Sequence, residues 1–182
     1  SIAITYLGSL YKLGMCVEQN YFKAKKYYEL AARKNDSVSL HYLGDLYEKG
    51  LGVEQDFFKA KEYYELSAKQ NNPDALLSLG NLYFSGLGVE QNFNKAREYF
   101  ELSAKHNNSD AFLSLGILYF LGKGVDKNYS KAKKYCESSA KQNNSDALLM
   151  LGYFYANGFG VEKNFLKAKE YYELSAKQNN SD

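Results

Sequence analysis

The sequence predicts an all-α solenoid built from five copies of a helix-turn-helix repeat. One pattern, LG-x-L-Y-x-x-G-x-G-V, occurs five times with small departures, and its leading glycine recurs every 36 residues. A fixed period of that length is typical of helical-repeat arrays. Within the pattern, apolar residues recur at helical spacing, as at Leu76, Leu79 and Tyr83. We therefore assign residues 1–182 to a single domain of five repeats, with the boundaries 1–36, 37–72, 73–108, 109–144 and 145–180.

The first helix of each repeat carries this pattern. In the third repeat it is predicted to begin near Asp74, after Pro73, whose missing N–H costs nothing in a first turn. It is predicted to continue for about 12 residues, as far as Gly86. The expected N-cap oxygens of the equivalent helices in the fourth and fifth repeats belong to Ser109-Asp110 and Ser145-Asp146.

All 14 glycines fall on three positions, or slots, of the repeat. The first slot lies inside the helix, where glycine costs about 1 kcal/mol relative to alanine, so we expect it to permit close approach of the next helix. It is filled by Gly8, Gly44, Gly80, Gly116 and Gly152. The second slot is expected to end the helix with φ > 0. It is filled by Gly50, Gly86, Gly122 and Gly158, together with Gly14. No glycine is left over for a phosphate-binding loop.

The second helix is predicted to follow a capping Asn or Asp after the glycine loop, and in the third repeat it extends from about Phe93 to His106. The predicted caps are Asn20, Asp56, Asn92, Asn128 and Asn164. Asn107-Asn108 is expected to end the helix, since asparagine is the best substitute for glycine in a left-handed C-cap. Charges spaced i, i+4, such as Lys61 and Glu65, predict a solvated outer face of alternating sign.

Composition argues against several classes of function. The net charge of +2 is too small to favour nucleic acid or an acidic membrane surface. No apolar run approaches the roughly 20 residues that span a bilayer. His41 and His106 fall on different slots, and no spacing gathers three metal ligands. We therefore predict no catalytic residue, no metal and no cofactor. Cys136, which takes an aromatic slot, is expected to be a small core residue.

The full pattern, A-x-x-x-L-G-x-x-Y-x-x-G-x-G-V followed by N/D-x-x-K-A-x-x-Y-x-x-x-A-A, resembles the Sel-one-like repeat, a relative of the tetratricopeptide repeat. In the third repeat the matching residues are Ala75, Leu79, Gly80, Tyr83, Gly86, Gly88, Val89, Asn92, Lys95, Ala96, Tyr99, Ser103 and Ala104. The first closing alanine is serine in four repeats, and asparagine replaces the family's closing glycine. The resemblance implies a right-handed α/α superhelix whose first helices line a concave groove.

The resemblance covers the whole chain. The chain starts at Ser1 inside a repeat and ends at Asn180–Asp182, where a sixth repeat would begin. We therefore expect a fragment of a longer repeat protein.

A variable stripe at i, i+4, i+7 on each first helix, here the first-helix stripe, is the predicted groove surface. Its members are Thr5, Ser9 and Lys12; His41, Asp45 and Glu48; Leu77, Asn81 and Phe84; Leu113, Ile117 and Phe120; and Leu149, Tyr153 and Ala156. In the related tetratricopeptide-like family this stripe faces the groove. The groove is therefore expected to be polar at its N-terminal end and apolar from the third repeat onward.

An apolar patch of that extent usually marks an interaction site. We expect an amphipathic helix or extended peptide to dock there, anchored by Phe84, Leu113, Ile117 and Phe120. The other predicted contacts are His41, Asp45, Leu77, Asn81, Leu149 and Tyr153. Alternatively, these residues pack between adjacent repeats or under further C-terminal repeats, and if they are core residues an Ile117→Asp/Phe120→Asp variant should unfold instead of losing its partner.

The function that follows is a non-catalytic scaffold or adaptor whose partner is a protein or peptide. One alternative is an accessory or spacer segment of a larger enzyme or assembly. Another is a helical-repeat RNA reader, against which the weak net charge and balanced outer faces argue. We expect neither nucleic-acid binding nor membrane insertion from this chain.

Overall fold

The structure, a computed structural model, describes residues 2–179. Within that range the chain forms ten α-helices and no β-strand, which confirms the predicted all-α class and the two-helix repeat. The helices are α1 (Ile2–Leu13), α2 (Tyr21–Ala32), α3 (Ser37–Lys49), α4 (Phe57–Ala68), α5 (Pro73–Ser85), α6 (Phe93–Lys105), α7 (Ser109–Leu121), α8 (Tyr129–Ala140), α9 (Ser145–Asn157) and α10 (Phe165–Asn179). Ser1 and the predicted start of a sixth repeat at Asn180–Asp182 lie outside the described residues.

The chain divides into two compact units. Unit 1 ends at Gln91 and contains α1–α5, and unit 2 begins at Asn92 and contains α6–α10. Within each unit, a second helix packs against the first helix of its own repeat and against the first helix of the next repeat. The assignment of all five repeats to one domain stays a prediction.

Helix ends follow the sequence signals, with one correction. Each first helix of repeats two to five is capped by the residue before it, so Ser109 and Ser145 are first helical residues and not caps. The caps are Asn108, whose side chain accepts a hydrogen bond from Ala111 N, and Asn144, which accepts one from Ala147 N. The two asparagines were predicted to end α6 together, but they act on different helices. Asn107 ends α6 with a φ of 61°, and Asn108 starts α7.

The second glycine slot ends the first helices as predicted. Gly86 caps α5 in the left-handed region with a φ of 72°, and its N–H donates to Leu82 O. The caps of α3, α7 and α9 take the same conformation, at Gly50, Gly122 and Gly158. The caps of the second helices are confirmed too, at Asn20, Asp56, Asn92, Asn128 and Asn164.

The glycines of the first slot are buried inside their helices, at Gly8, Gly44, Gly80, Gly116 and Gly152. A Cβ built at Gly8 would lie 2.6 Å from Tyr28 Cε1, and one at Gly152 would lie 2.5 Å from Tyr172 Cε1. These glycines therefore permit close approach of the next helix, which places an aromatic ring against them. Backbone does come close at Gly116, where a Cβ would lie 3.2 Å from Ala132 O.

The serines that replace a closing alanine are buried, and three of them form hydrogen bonds between the two helices of a repeat. Ser67 Oγ donates to Ser37 O at 2.6 Å, and Ser139 Oγ donates to Ser109 O at 2.8 Å. Ser175 Oγ makes the same bond to Ser145 O. The hydroxyl therefore fixes the first turn of one helix against the last turn of the next, and its burial is compensated by a hydrogen bond.

Candidate protein-binding face

In repeats one and two, part of the first-helix stripe forms a polar network around Asp45, which includes Lys12, His41 and Glu48. The Asp45 side chain, which is 14% exposed, accepts hydrogen bonds from Lys12 Nζ at 3.4 Å and from the Tyr64 hydroxyl at 3.0 Å. The same hydroxyl contacts Glu48 Oε2. The Lys12 ammonium also lies 4.7 Å from the centre of the Tyr42 ring. Because these partners come from α1, α3 and α4, this polar network connects three helices of unit 1.

His41 belongs to the same network. Its Nε2 lies 3.7 Å from Asp45 Oδ1 and 3.3 Å from Ser78 Oγ on α5. Burial lowers the pKa of His41 below its usual range, although the charges of Asp45 and Asp74 act to raise it. The imidazole is therefore neutral at pH 7, and its contacts lie within unit 1. His41 and Asp45 were predicted as partner contacts, and the structure engages both in the packing of α1, α3, α4 and α5.

The second helix supplies a tyrosine to each polar part of the stripe. The Tyr28 hydroxyl lies 3.2 Å from Ser9 Oγ, as the Tyr64 hydroxyl lies beside Asp45 one repeat later. Burial raises the pKa of Tyr28 to about 12 and also raises the pKa of Tyr64, so both hydroxyls stay protonated as donors. In repeat four the equivalent pair is Cys136 and Ile117, neither of which offers a hydroxyl.

Cys136 is fully buried in the core of unit 2, as predicted. Burial raises the pKa of its thiol to about 12. The thiol therefore behaves as a small core group and not as a nucleophile.

In repeat three, the stripe is mixed. Leu77 and Phe84 on α5 are half-buried, and Asn81 between them is exposed. Gln91 Nε2 donates to Phe84 O at 2.9 Å, which fixes the loop that follows α5. This part of the stripe is therefore half open to solvent, with an amide at its most exposed point.

In repeats four and five, the stripe adjoins an aromatic cluster, defined as Phe120, Tyr129, Tyr153, Phe154 and Phe159. The Phe120 ring lies 5.4 Å from Tyr129, 5.7 Å from Phe154 and 5.6 Å from Phe159. Phe120 and Leu113 also pack against the buried core of unit 2. For Phe120 the structure therefore favours packing between adjacent repeats, which was the alternative to groove contact.

The solvent-facing part of this region is on α9. Leu149 is 50% exposed and Tyr153 is 42% exposed. They lie four residues apart, on one face of the helix. Tyr153 also touches the cluster, with its ring 5.6 Å from Phe159 and 6.0 Å from Phe120. Ile117 on α7 is half-buried.

Unit 1 contains a cavity next to its own stripe. It has a volume of about 320 Å³ and is lined by Ile2, Thr5, Tyr6, Ser9, Asp36, Val38 and Tyr42. Thr5 is buried and lies 2.7 Å, Oγ1 to Oγ, from Ser39. Its rim residues Ile2 and Tyr6 are about 70% exposed. This cavity lies beside the first-helix stripe of unit 1, and sequence periodicity did not predict it.

Two further features are absent from the described residues, a group of metal ligands and a membrane-spanning helix. Within residues 2–179, His, Cys, Asp and Glu side chains do not form a group of three or more that could hold a metal ion. None of the helices in that range combines the length and apolar composition that a bilayer-spanning segment needs.

The repeat pattern matches a known family along nearly the whole chain. The Sel1 repeat model matches residues 1–36, 37–72, 73–108, 110–144 and 145–180. The chain belongs to the Sel1 repeat family. Sel1 repeat proteins generally act as protein-interaction scaffolds, and the family is generally non-catalytic. No curated protein sequence matches the chain.

Solved structures of other Sel1 repeat proteins are similar to this chain. A Sel1 repeat protein from Oxalobacter formigenes is 31% identical with a TM-score of 0.91, over 98% of this chain and 73% of that one. The protective antigen c5321 of uropathogenic Escherichia coli, described as having an SLR fold, is 30% identical with a TM-score of 0.85 over 99% of this chain. This Sel1 repeat chain spans only 38% of the length of that antigen. Cysteine rich protein B of Helicobacter pylori is 30% identical with a TM-score of 0.54, over 71% of this chain and 92% of that one.

Proposed function

We propose that this Sel1 repeat chain is a non-catalytic scaffold that binds a peptide or helix of a partner protein along its first helices. In unit 2 the contact surface is formed by Leu149 and by Tyr153, the exposed member of the aromatic cluster. The observation that carries the proposal is their exposure, 50% and 42%, on one face of α9. A contiguous exposed apolar patch usually marks an interaction site, and here Leu149 lies one helical turn from Tyr153, whose ring packs against Phe159.

The chemistry of this surface suits an apolar anchor with a polar neighbour. Tyr153 offers a ring face for packing and a hydroxyl for one hydrogen bond, a combination that is enriched at binding hot spots. Leu149 offers an aliphatic contact one helical turn away. An amphipathic helix that presents apolar residues at i and i+4, or an extended peptide with one large apolar side chain, matches this surface.

The test compares two variants of the full chain. Leu149→Asp/Tyr153→Asp places charges on the proposed surface without entering the core, whereas Leu174→Asp places one on α10, where Leu174 is 47% exposed. Both should keep the helical circular dichroism of the parent chain. In affinity capture from a lysate of the source organism, the double variant should lose a protein that the parent and Leu174→Asp retain. Equal capture by all three would contradict the proposal.

A second role, that of a spacer within a larger assembly, is favoured by one observation. The match to the antigen covers 99% of this chain but only 38% of the antigen, so repeats of this kind occur as parts of longer proteins. A spacer would capture no specific protein with either variant or with the parent chain, and the same experiment therefore separates the two roles.

A further inference from the structure

Repeat four is rich in lysine, as is repeat one, whose residues 1–36 hold six basic and three acidic residues. Between residues 109 and 144 there are six lysines and three acidic residues, whereas residues 37–72 hold four lysines and six acidic residues. Lys134 takes a slot that is glutamate in three repeats, at Glu62, Glu98 and Glu170, and lysine in the first, at Lys26. Ser138 takes a slot that is leucine in the other four, at Leu30, Leu66, Leu102 and Leu174. The alternating charge predicted for the outer faces is kept at Lys133 and Glu137, and Lys134 adds a positive charge beside it.

Two adjoining cavities in unit 2 lie at these substitutions and share Tyr119 and Lys131. The larger, of about 700 Å³, is lined by Asn94, Arg97, Tyr119, Gly124, Val125, Asp126, Asn128 and Lys131. The smaller, of about 310 Å³, is lined by Tyr119, Lys131, Lys134, Tyr135 and Ser138. The stacked rings of Tyr119 and Tyr135, with centres 5.6 Å apart, form a wall beside Lys131. We call these two cavities together the basic cleft.

The cations of the basic cleft are only partly neutralised. The ammonium of Lys131 lies 5.2 Å from the centre of the Tyr119 ring, and among the described residues neither Lys131 nor Lys134 forms an ion pair. Arg97 has Glu101 at 3.7 Å. Asp126 is the one acidic residue of the cleft lining. Glu137 on the same helix is paired with Lys133 at 2.7 Å. The cleft therefore presents positive charge that the described chain does not balance.

We propose that the basic cleft binds an acidic segment of a partner polypeptide. Its cations are distributed along two adjoining cavities, an arrangement that suits several carboxylates in succession better than one compact anion. The amides of Asn94 and Asn128 and the hydroxyls of Tyr119 and Ser138 can donate further hydrogen bonds. This surface lies on different helices from Leu149 and Tyr153, so the inference goes beyond the proposed function and does not depend on it.

Unit 1 contains the counterpart of the larger cavity and supplies an internal control. That cavity, of about 500 Å³, is lined by Phe22, Lys25, Tyr47, Gly52, Val53, Glu54, Gln55, Asp56 and Lys59. Asp56 replaces Asn128 and Phe22 replaces Asn94, so two acidic residues face two lysines. Glu62 stands where unit 2 has Lys134. The same fold therefore builds a balanced cavity in unit 1 and a basic one in unit 2.

The experiment measures binding of a fluorescein-labelled ten-residue peptide of Asp and Glu to the full chain by fluorescence anisotropy, at 50 mM and 150 mM NaCl. The variant Lys131→Glu/Lys134→Glu reverses the basic cleft, and it should keep its fold since both side chains are exposed and glutamate occupies the second slot in other repeats. The control Lys59→Glu/Lys69→Glu makes the same change of net charge in unit 1. We expect at least tenfold weaker binding for the cleft variant and less than twofold change for the control.

Four results would overturn the proposal. Equal weakening by both variants would mean that only net charge matters. Absence of binding to the parent chain at 50 mM NaCl would mean that the cleft takes no acidic peptide. Tighter binding of a ten-nucleotide RNA than of the peptide would reassign the cleft to nucleic acid. Displacement of the peptide by millimolar inorganic phosphate at constant ionic strength would reassign it to that ion. Leu149→Asp/Tyr153→Asp should bind the peptide normally, so failure of one surface is distinguishable from failure of the other.

Discussion

Repeats one and two and repeats four and five fill the same slots of the first-helix stripe in opposite ways. Around Asp45 the slots hold polar residues whose contacts are made within unit 1, to Lys12, His41 and Tyr64. Around Phe120 they hold apolar residues, and part of that surface, at Leu149 and Tyr153, is open to solvent. A variable slot is therefore not by itself a binding slot, because variation also arises when the second helix presents a different partner.

The largest effect on stability is expected from the aromatic cluster. Phe120→Ala removes a ring that lies against four others, so the free energy of unfolding should fall by about 3 kcal/mol. Tyr153→Ala, on the exposed edge of the same cluster, should cost less than about 1 kcal/mol. Urea denaturation of both variants measures the difference. Equal losses would mean that the division between a packed and an open part of the stripe is wrong.

The polar network should rank next. Asp45→Ala removes the acceptor that Lys12 and Tyr64 share, and although Tyr64 keeps Glu48 as a partner, the loss of two hydrogen bonds should cost about 2 kcal/mol. Asp126→Ala, which removes an exposed acid in unit 2, should stay within about 0.5 kcal/mol of the parent. If thermal melts give the two variants the same stability, the network does not hold unit 1 together.

A transplant of the unit 1 pairing into unit 2 tests why the slots differ. Cys136→Tyr alone buries a hydroxyl opposite Ile117, and Ile117→Asp alone places a carboxylate opposite a thiol, so each should destabilise. The double variant recreates the pair formed by Tyr64 and Asp45, and its loss should be smaller than the sum of the single losses by about 1 kcal/mol. Strict additivity in the double-mutant cycle would show that the two slots are independent.

The smallest effect concerns pH. The pKa of His41 is lowered by burial, so below its ordinary value of 6.5 the unfolded chain takes up a proton that the folded chain resists. His41 thus contributes stability that is present above pH 6.5 and is lost as the pH falls toward the lowered pKa. His41→Leu introduces the residue of repeats three to five, and between pH 7.5 and 5.5 it should lose less stability than the parent. If the parent and His41→Leu lose the same stability between these two pH values in thermal melts, His41 does not contribute to the pH dependence.

Sequence periodicity was sufficient for the fold because the signals for it are local. A cap such as Asn92 or a left-handed glycine such as Gly86 acts on the turn in which it sits, and both were predicted. The error at Ser109 was of one residue, in a run of three polar residues each able to cap. The roles of Ser67 and Ser139 escaped prediction because each donates to a carbonyl 30 residues away.

The candidate site was predictable only in part for the same reason. Periodicity identified which side chains share a face, but it carries no information on which of them find partners on other helices. Asp45 and His41 share a face with the other predicted groove residues, and their contacts with Lys12, Tyr64 and Ser78 join side chains from different helices. Lys134, which replaces the glutamate of three other repeats, was a sequence signal for the basic cleft. No sequence signal indicated that two cavities meet there.

The most direct test of the account is site-specific photocrosslinking from one slot in each region. A benzoylphenylalanine is introduced in place of Tyr153 in one variant and in place of Ser9, the same slot in repeat one, in another. Ser9 is a demanding comparison since it lines the cavity of unit 1. We expect the probe at position 153 to crosslink the captured partner, and we expect no crosslink from the probe at position 9. Crosslinking from position 9 with none from position 153 would contradict it and place the partner on the polar end of the stripe.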